Sequence, residues 1–177
     1  QLLNPWKREW NFELIEELGL PRSIFPAITQ PCSVAGELLP ELQKELGCEA
    51  IPVFKVGSHD TASAVAAAPA SENDGWAFLS CGTWSLLGVE LDKPMVNQAS
   101  AKANYTNEGG LNGKIRFLTN IIGLWLIQES KRIWDEAGKS YSYDQIAEMA
   151  ENAEPCKFLI NPDNFDFYAP DDMTAAI

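Results

Sequence analysis

Between Ile51 and Ala68 the chain changes from a β-favouring string to a helix-favouring one, with a glycine at the change. Ile51-Pro52-Val53-Phe54-Lys55-Val56 is rich in β-branched and aromatic side chains, which reads as a buried strand. Thr61 to Ala68, TASAVAAA, holds small side chains and good helix formers. Gly57-Ser58-His59-Asp60 joins them. A strand that runs through a glycine turn into a helix is the unit of an α/β fold, and it sets Asp60 where strand ends and helix N-termini form ligand clefts.

Asp60 then has two readings. It or Ser58 caps the helix, a side-chain oxygen accepting a backbone N–H, and the local pattern by itself favours this. Alternatively Asp60 accepts the proton of a substrate hydroxyl as its oxygen attacks a phosphoryl group, a step in which general-base help contributes ~10² to 10⁴ in rate. His59 is the single histidine. It reads either as a hydrogen-bonded structural residue or as a donor to a sugar hydroxyl.

Upstream, Trp10, Phe12, Leu14, Ile15 and Leu18 have near-helical spacing, with Asn11 as cap, Gly19 as stop and Pro21 beyond it. Residues 21–35 carry three prolines and read as an extended connection, and Glu37 to Leu46 reads as a helix with Pro40 in its first turn. Downstream, Asn73-Asp74-Gly75 is a turn and the main composition boundary. Trp76–Cys81 and Trp84–Leu91 form a hairpin through Gly82-Thr83, a pair suited to a type II′ turn. Asn107 to Gly110 and Asn112-Gly113 mark turns, Ile115 to Leu118 a strand, and Asn120 to Trp134 a buried helix. A helix from about Tyr143 to Asn152, a strand over Phe158–Ile160 and a loop to Pro170 follow.

In Ser80-Cys81-Gly82-Thr83-Trp84-Ser85 the glycine permits close backbone approach and the hydroxyls can bond phosphate oxygens. A plain hairpin turn explains the same residues. Asn120 and Gln128 are amides in an otherwise apolar run, which either satisfy local backbone or face a ligand.

The chain carries 25 acidic and 13 basic residues, a net charge of -12. That excess argues against nucleic-acid partners, which need clustered Lys and Arg. No apolar run has the length of a membrane span and no basic-then-apolar leader is present, so a cytoplasmic protein is expected. Four scattered cysteines without a C-x-x-C pair, and one histidine, leave too few ligands for a usual zinc site, so no metal ligands are assigned and the thiols read as structural.

Taken in order, GSHDTASAVAAAP from Gly57, WAFLSCGTWSLLGVE from Trp76, TNEGGLNGKIRFLTNIIGLWLIQESKRIW from Thr106 and CKFLINPD from Cys156 resemble the FGGY carbohydrate kinases, and within them the branch acting on L-rhamnulose. The resemblance implies an α/β chain made of partial ribonuclease-H-like domains, as in the sugar-kinase and actin-like ATPase group. Residues 1–75 would be the end of the sugar-binding N-terminal domain and 76–177 the beginning of the nucleotide-facing C-terminal domain. It implies Asp60 as proton acceptor, His59 and Thr61 beside it on the ketose, and Thr83, Asn120 and Gln128 on ATP, with Mg²⁺ neutralising charge as the γ-phosphoryl passes to the 1-hydroxyl of L-rhamnulose. Thr119 stands where the family has a basic residue. The family's glycine-rich phosphate loop and its late adenosine motif do not occur, so a central piece of a longer protein is expected, inactive by itself. The alternatives are a self-associating, non-catalytic α/β module, a kinase for xylulose or fuculose, or an actin-like structural ATPase.

Overall fold

The computed structural model describes residues 2–71 and 75–177, so the expected turn at Asn73-Asp74 lies outside the described residues. Short strands β1 (Leu3–Asn4) and β2 (Glu9–Trp10) pair antiparallel and lead into α1 (Phe12–Glu17). As expected, the Asn11 side chain accepts the Leu14 N–H, and Gly19 takes a left-handed φ of 71° as Leu20 N–H returns to the Ile15 carbonyl. Ile15, on the inner face, is fully buried.

The expected helix from Glu37 begins only at Pro40. Val34–Glu37 is strand β3 and α2 runs Pro40–Leu46. The proline fixes that start: Leu39 before it is held extended, and a missing N–H costs nothing at the first helical position. Strand β4 (Pro52–Phe54) pairs antiparallel with β3, and every residue of both strands is exposed. The buried strand expected here is therefore corrected. A two-stranded ribbon leaves both faces open unless another layer covers it.

Helix α3 (Asp60–Ala66) follows, burying Thr61, Ala62 and Val65. Strands β5 (Phe78–Cys81) and β6 (Trp84–Leu91) precede α4 (Gln98–Lys102), β7 (Thr106–Gly109) and β8 (Ile115–Ile122), and the four strands form one sheet in the order β5-β6-β8-β7. Gly88 makes the centre of that sheet possible, since a Cβ there would stand 2.6 Å from Leu118 Cβ and from the Phe117 carbonyl.

Two expectations fail in this sheet. Asn107 to Gly109 is strand, paired antiparallel with β8 in the register Thr106↔Leu118, Asn107↔Phe117, Glu108↔Arg116 and Gly109↔Ile115. The turn lies over Gly110–Lys114, closed by Gly110 N–H to the Lys114 carbonyl, with Asn112 left-handed. Strand β8 also continues through Asn120, and α5 begins at Trp125 and ends at Glu136. The run TNII suits either state by composition, and the sheet decides for extended backbone: β7 pairs only with Ile115–Leu118, so β6 is the neighbouring strand that carries β8 onward.

Helix α5 is half-buried rather than enclosed, and it carries surface ion pairs between Lys131 and Asp135 and between Arg132 and both Glu129 and Glu136. Helix α6 (Tyr143–Glu151) is capped reciprocally by Ser142 and Gln145. Phe158–Ile160 is not a strand but an exposed segment. Helix α7 (Met173–Ala176) closes the described chain.

Two compact units emerge: residues up to Ser80 with Leu87–Thr119, and Cys81–Leu86 with Asn120–Ile177. In the first, Ala62, Val65, Phe78, Ile115 and Leu118 are buried; in the second, Ile122, Phe167 and Met173 form a core against which Trp125, Leu126 and Ala176 pack. All four cysteines are free: Cys32, Cys81 and Cys156 are exposed and Cys48 is half-buried.

Candidate functional site

The first unit places His59, Asp60 and Thr61 consecutively at the start of α3. Neither Ser58 nor Asp60 is the cap. His59 holds that position with extended backbone and no capping side chain, and Asp60 is the first helical residue. Asp60 Oδ1 accepts the Thr61 N–H at 2.7 Å and the Thr61 hydroxyl at 3.4 Å, and His59 Nε2 lies 3.3 Å away. These contacts all fall on one oxygen. Oδ2 has no partner among the described residues, and the side chain is 93% exposed. The carboxylate is held through one oxygen and leaves the other open to accept a hydrogen bond.

Ser58, not Gly57, takes the left-handed φ, at 69°. Gly57 is needed for space instead, since a Cβ would meet Ser63 Oγ at 3.0 Å and Ser63 N at 3.2 Å. His59 also borders an open cavity of about 410 Å³.

The second unit holds Thr83, Asn120 and Gln128. Thr83 is exposed in the turn between β5 and β6, Asn120 is exposed near the end of β8, and Gln128 is half-buried in the first turn of α5. Asn120 is thus not at a helix start as expected, because the strand extends past it. Gly82 lacks the left-handed φ of a type II′ turn. Its N–H instead bonds the Trp84 carbonyl, while the Gly82 carbonyl accepts from Leu124 N–H at 2.9 Å and the Thr83 carbonyl from Gly123 and Trp125 N–H at 3.2 Å each. The hairpin turn therefore caps α5 with its own carbonyls. That docking requires Gly123, whose Cβ would fall 2.5 Å from both the Gly82 carbonyl and Ser85 Oγ. Gly123 carries no sequence signal beyond a glycine before a helix, and only the contact reveals its part.

The family model for the C-terminal domain of the FGGY family of carbohydrate kinases matches residues 77–177, more than half of the chain. The chain belongs to the FGGY family of carbohydrate kinases. Two rhamnulokinases, from Bacteroides thetaiotaomicron and Bacillus subtilis, are each 42% identical over 177 residues, all of this chain and 36% of each relative. The rhamnulokinase of Enterococcus faecalis is 36% identical over 173 residues, 98% of this chain and 34% of that protein. The chain thus spans about a third of the length of the relatives it matches. Among solved structures, a xyloylose kinase from Brucella ovis superposes with a TM-score of 0.62 at 20% identity, covering 88% of this chain and 30% of that one. A gluconate kinase from Lactobacillus acidophilus gives 0.59 at 18% identity, covering 86% and 30%. At that identity the likeness carries the fold, and the α/β architecture of sugar kinases is the one the sequence leads to.

Proposed function

We propose that the protein to which this FGGY chain belongs transfers the γ-phosphoryl group of ATP to the 1-hydroxyl of L-rhamnulose, with Asp60 as proton acceptor. The observation that carries this is the exposed Asp60 carboxylate at the head of α3, held through Oδ1 and open at Oδ2. The identities of 36% to 42% with rhamnulokinases over essentially the whole chain support L-rhamnulose above xylulose or fuculose.

In this reading His59 and Thr61 orient the ketose and Asp60 draws off the hydroxyl proton as the oxygen attacks. Thr83, Asn120 and Gln128 belong to the nucleotide side: two exposed polar groups and one half-buried amide on the β5–β6 turn, β8 and α5. ATP supplies the phosphoryl group. Magnesium would accompany the nucleotide, but no group of three or more His, Cys, Asp or Glu among the described residues could hold a metal ion, so no step is assigned to it. The division at residues 75/76 into a sugar-binding and a nucleotide-facing part is supported by the family match beginning at residue 77. A cytoplasmic location fits a chain in which no helix among the described residues is long and apolar enough to cross a membrane.

A coupled ADP-release assay on the full-length protein tests the proposal. Asp60→Asn should lower kcat by ~10² to 10⁴ while leaving the KM for ATP nearly unchanged. Full activity in that variant, or turnover that does not require the ketose, sinks it. A second reading, in which the isolated chain is a self-associating module without activity, is favoured by its exposed apolar side chains, among them Phe54 at 59% and Leu159 at 87%.

A further inference from the structure

We infer that Asn112, at the tip of the β7–β8 hairpin, is a site of spontaneous deamidation, and that Arg8 is the latch that slows it. No other asparagine of the chain precedes a glycine. A glycine in that position leaves its own backbone nitrogen unshielded by a side chain, and this nitrogen is the attacking atom.

The surroundings single out the same residue. Asn112 is exposed, and its side-chain amide has no partner among the described residues. Other asparagine amides are tied down: Asn11 caps α1, Asn97 accepts the Ser100 N–H, and Asn107 both accepts from the Met95 N–H and donates to the Met95 carbonyl. Asn104 and Asn120 are exposed as well, but Tyr105 and Ile121 follow them, and each sets a side chain beside the nitrogen that would attack.

The reaction draws on nothing but the turn and water. The Gly113 nitrogen bonds to Asn112 Cγ, the Cγ–Nδ2 bond breaks, and the proton of the Gly113 N–H leaves with the departing ammonia. Water then opens the cyclic imide at either carbonyl, its hydroxyl joining the carbon and its proton returning to nitrogen. Opening at the side-chain carbonyl leaves aspartate. Opening at the main-chain carbonyl leaves isoaspartate, in which the backbone runs through Cβ and Cγ. Both products carry a negative charge that asparagine lacks.

In the folded turn the attack is held off. Asn112 has φ 49° and ψ 31°. At that ψ the Gly113 nitrogen lies nearly opposite Asn112 Cβ across the Cα–C bond, so the two meet only when the Gly113 peptide swings round. That swing moves the carbonyls of Gly113 and Lys114, and Arg8 Nη2 donates to both. The turn's own closures, Lys114 N–H to the Leu111 carbonyl and Gly110 N–H to the Lys114 carbonyl, are backbone bonds at an exposed tip, where local opening is easiest. Arg8 comes from the β1–β2 turn of the same unit and is the tertiary tie on this one. Isoaspartate lengthens the turn backbone by one carbon and shifts the very carbonyl that Arg8 holds.

The inference is independent of the phosphoryl-transfer reading, because it is measured by covalent change alone. The 177-residue chain is incubated at mildly alkaline pH, where the attacking nitrogen loses its proton more readily, and digests are followed by mass spectrometry. Isoaspartate is scored with an isoaspartyl methyltransferase, and a synthetic peptide spanning residues 109–116 gives the rate of the unlatched turn. Asn112 should convert to aspartate and isoaspartate ahead of every other asparagine, more slowly than in the peptide. Arg8→Ala should bring the rate towards that of the peptide, on the order of tenfold faster, because two carbonyls lose a charged donor. Global unfolding would speed all asparagines, so the ratio of conversion at Asn112 to that at Asn107 separates a lost latch from a lost fold. In Asn112→Gln the isoaspartate signal should vanish. An Asn112 that stays an amide while the peptide converts, or that converts no earlier than Asn97 or Asn107, overturns the site. An unchanged Asn112-to-Asn107 ratio in Arg8→Ala overturns the latch.

Discussion

At the residue scale, glycines and one serine set the geometry on which each candidate group rests. Ser58 bears a left-handed φ of 69° directly before His59 and Asp60, a conformation costing a non-glycine residue roughly 1 kcal/mol. Ser58→Gly should therefore stabilise the chain by a few tenths to about 1 kcal/mol, less the entropy glycine gains when unfolded. Gly123→Ala should do the reverse, costing about 1 to 3 kcal/mol, because both atoms it strikes belong to the hairpin that caps α5. Urea denaturation midpoints check the pair, and a Gly123→Ala protein as stable as the parent would show that the turn does not dock as described.

At the element scale, α7 is too short to persist without its cap and its packing. The Thr174 hydroxyl and then the Ala175 and Thr174 amides, bonded to Asp172, hold the Asp172 carboxyl below the usual carboxylate value. With the folded-state value the lower one, the contribution is fully present above the unfolded value of ~3.9 and is lost as pH falls through the folded value. Acidification below about pH 4 should loosen α7 and release Met173 from Ile122 and Phe167. Amide shifts of Thr174 and Ala175 during an acid titration report this, and in Asp172→Asn the transition should vanish. A titration curve identical in the two proteins would remove the cap from the explanation.

At the scale of the whole molecule, apolar surface is distributed unevenly. The β3–β4 ribbon and residues 158–160 expose Val53, Phe54, Phe158 and Leu159, while the central sheet buries Phe78, Ile115 and Leu118. The isolated chain should self-associate with rising concentration in sedimentation velocity, and Phe54→Ser with Leu159→Ser should suppress it. Monomeric behaviour of the unsubstituted chain at all concentrations would exclude the module reading. Native-state hydrogen exchange should be slowest in β6 and β8 and fast in β3 and β4, as their burial dictates.

Local chemistry alone wrote the elements whose signals are short-range: α1 between Asn11 and Gly19, α3 after Gly57, the β5–β6 hairpin about Gly82-Thr83, and α6 from its Ser142 cap. The same stretches carry the family resemblance, which is why Asp60 could be singled out before its surroundings were seen. Tertiary structure decided what depends on partners far along the chain. Asn120 is in a strand because β8 runs on beside β6 past the end of β7, Asn107 to Gly109 pairs rather than turns because Arg116 and its neighbours lie opposite, and β4 is exposed because only β3 meets it. Gly123 was silent in the sequence for the same reason. A close approach is a property of juxtaposition, and no local preference of the chain encodes it.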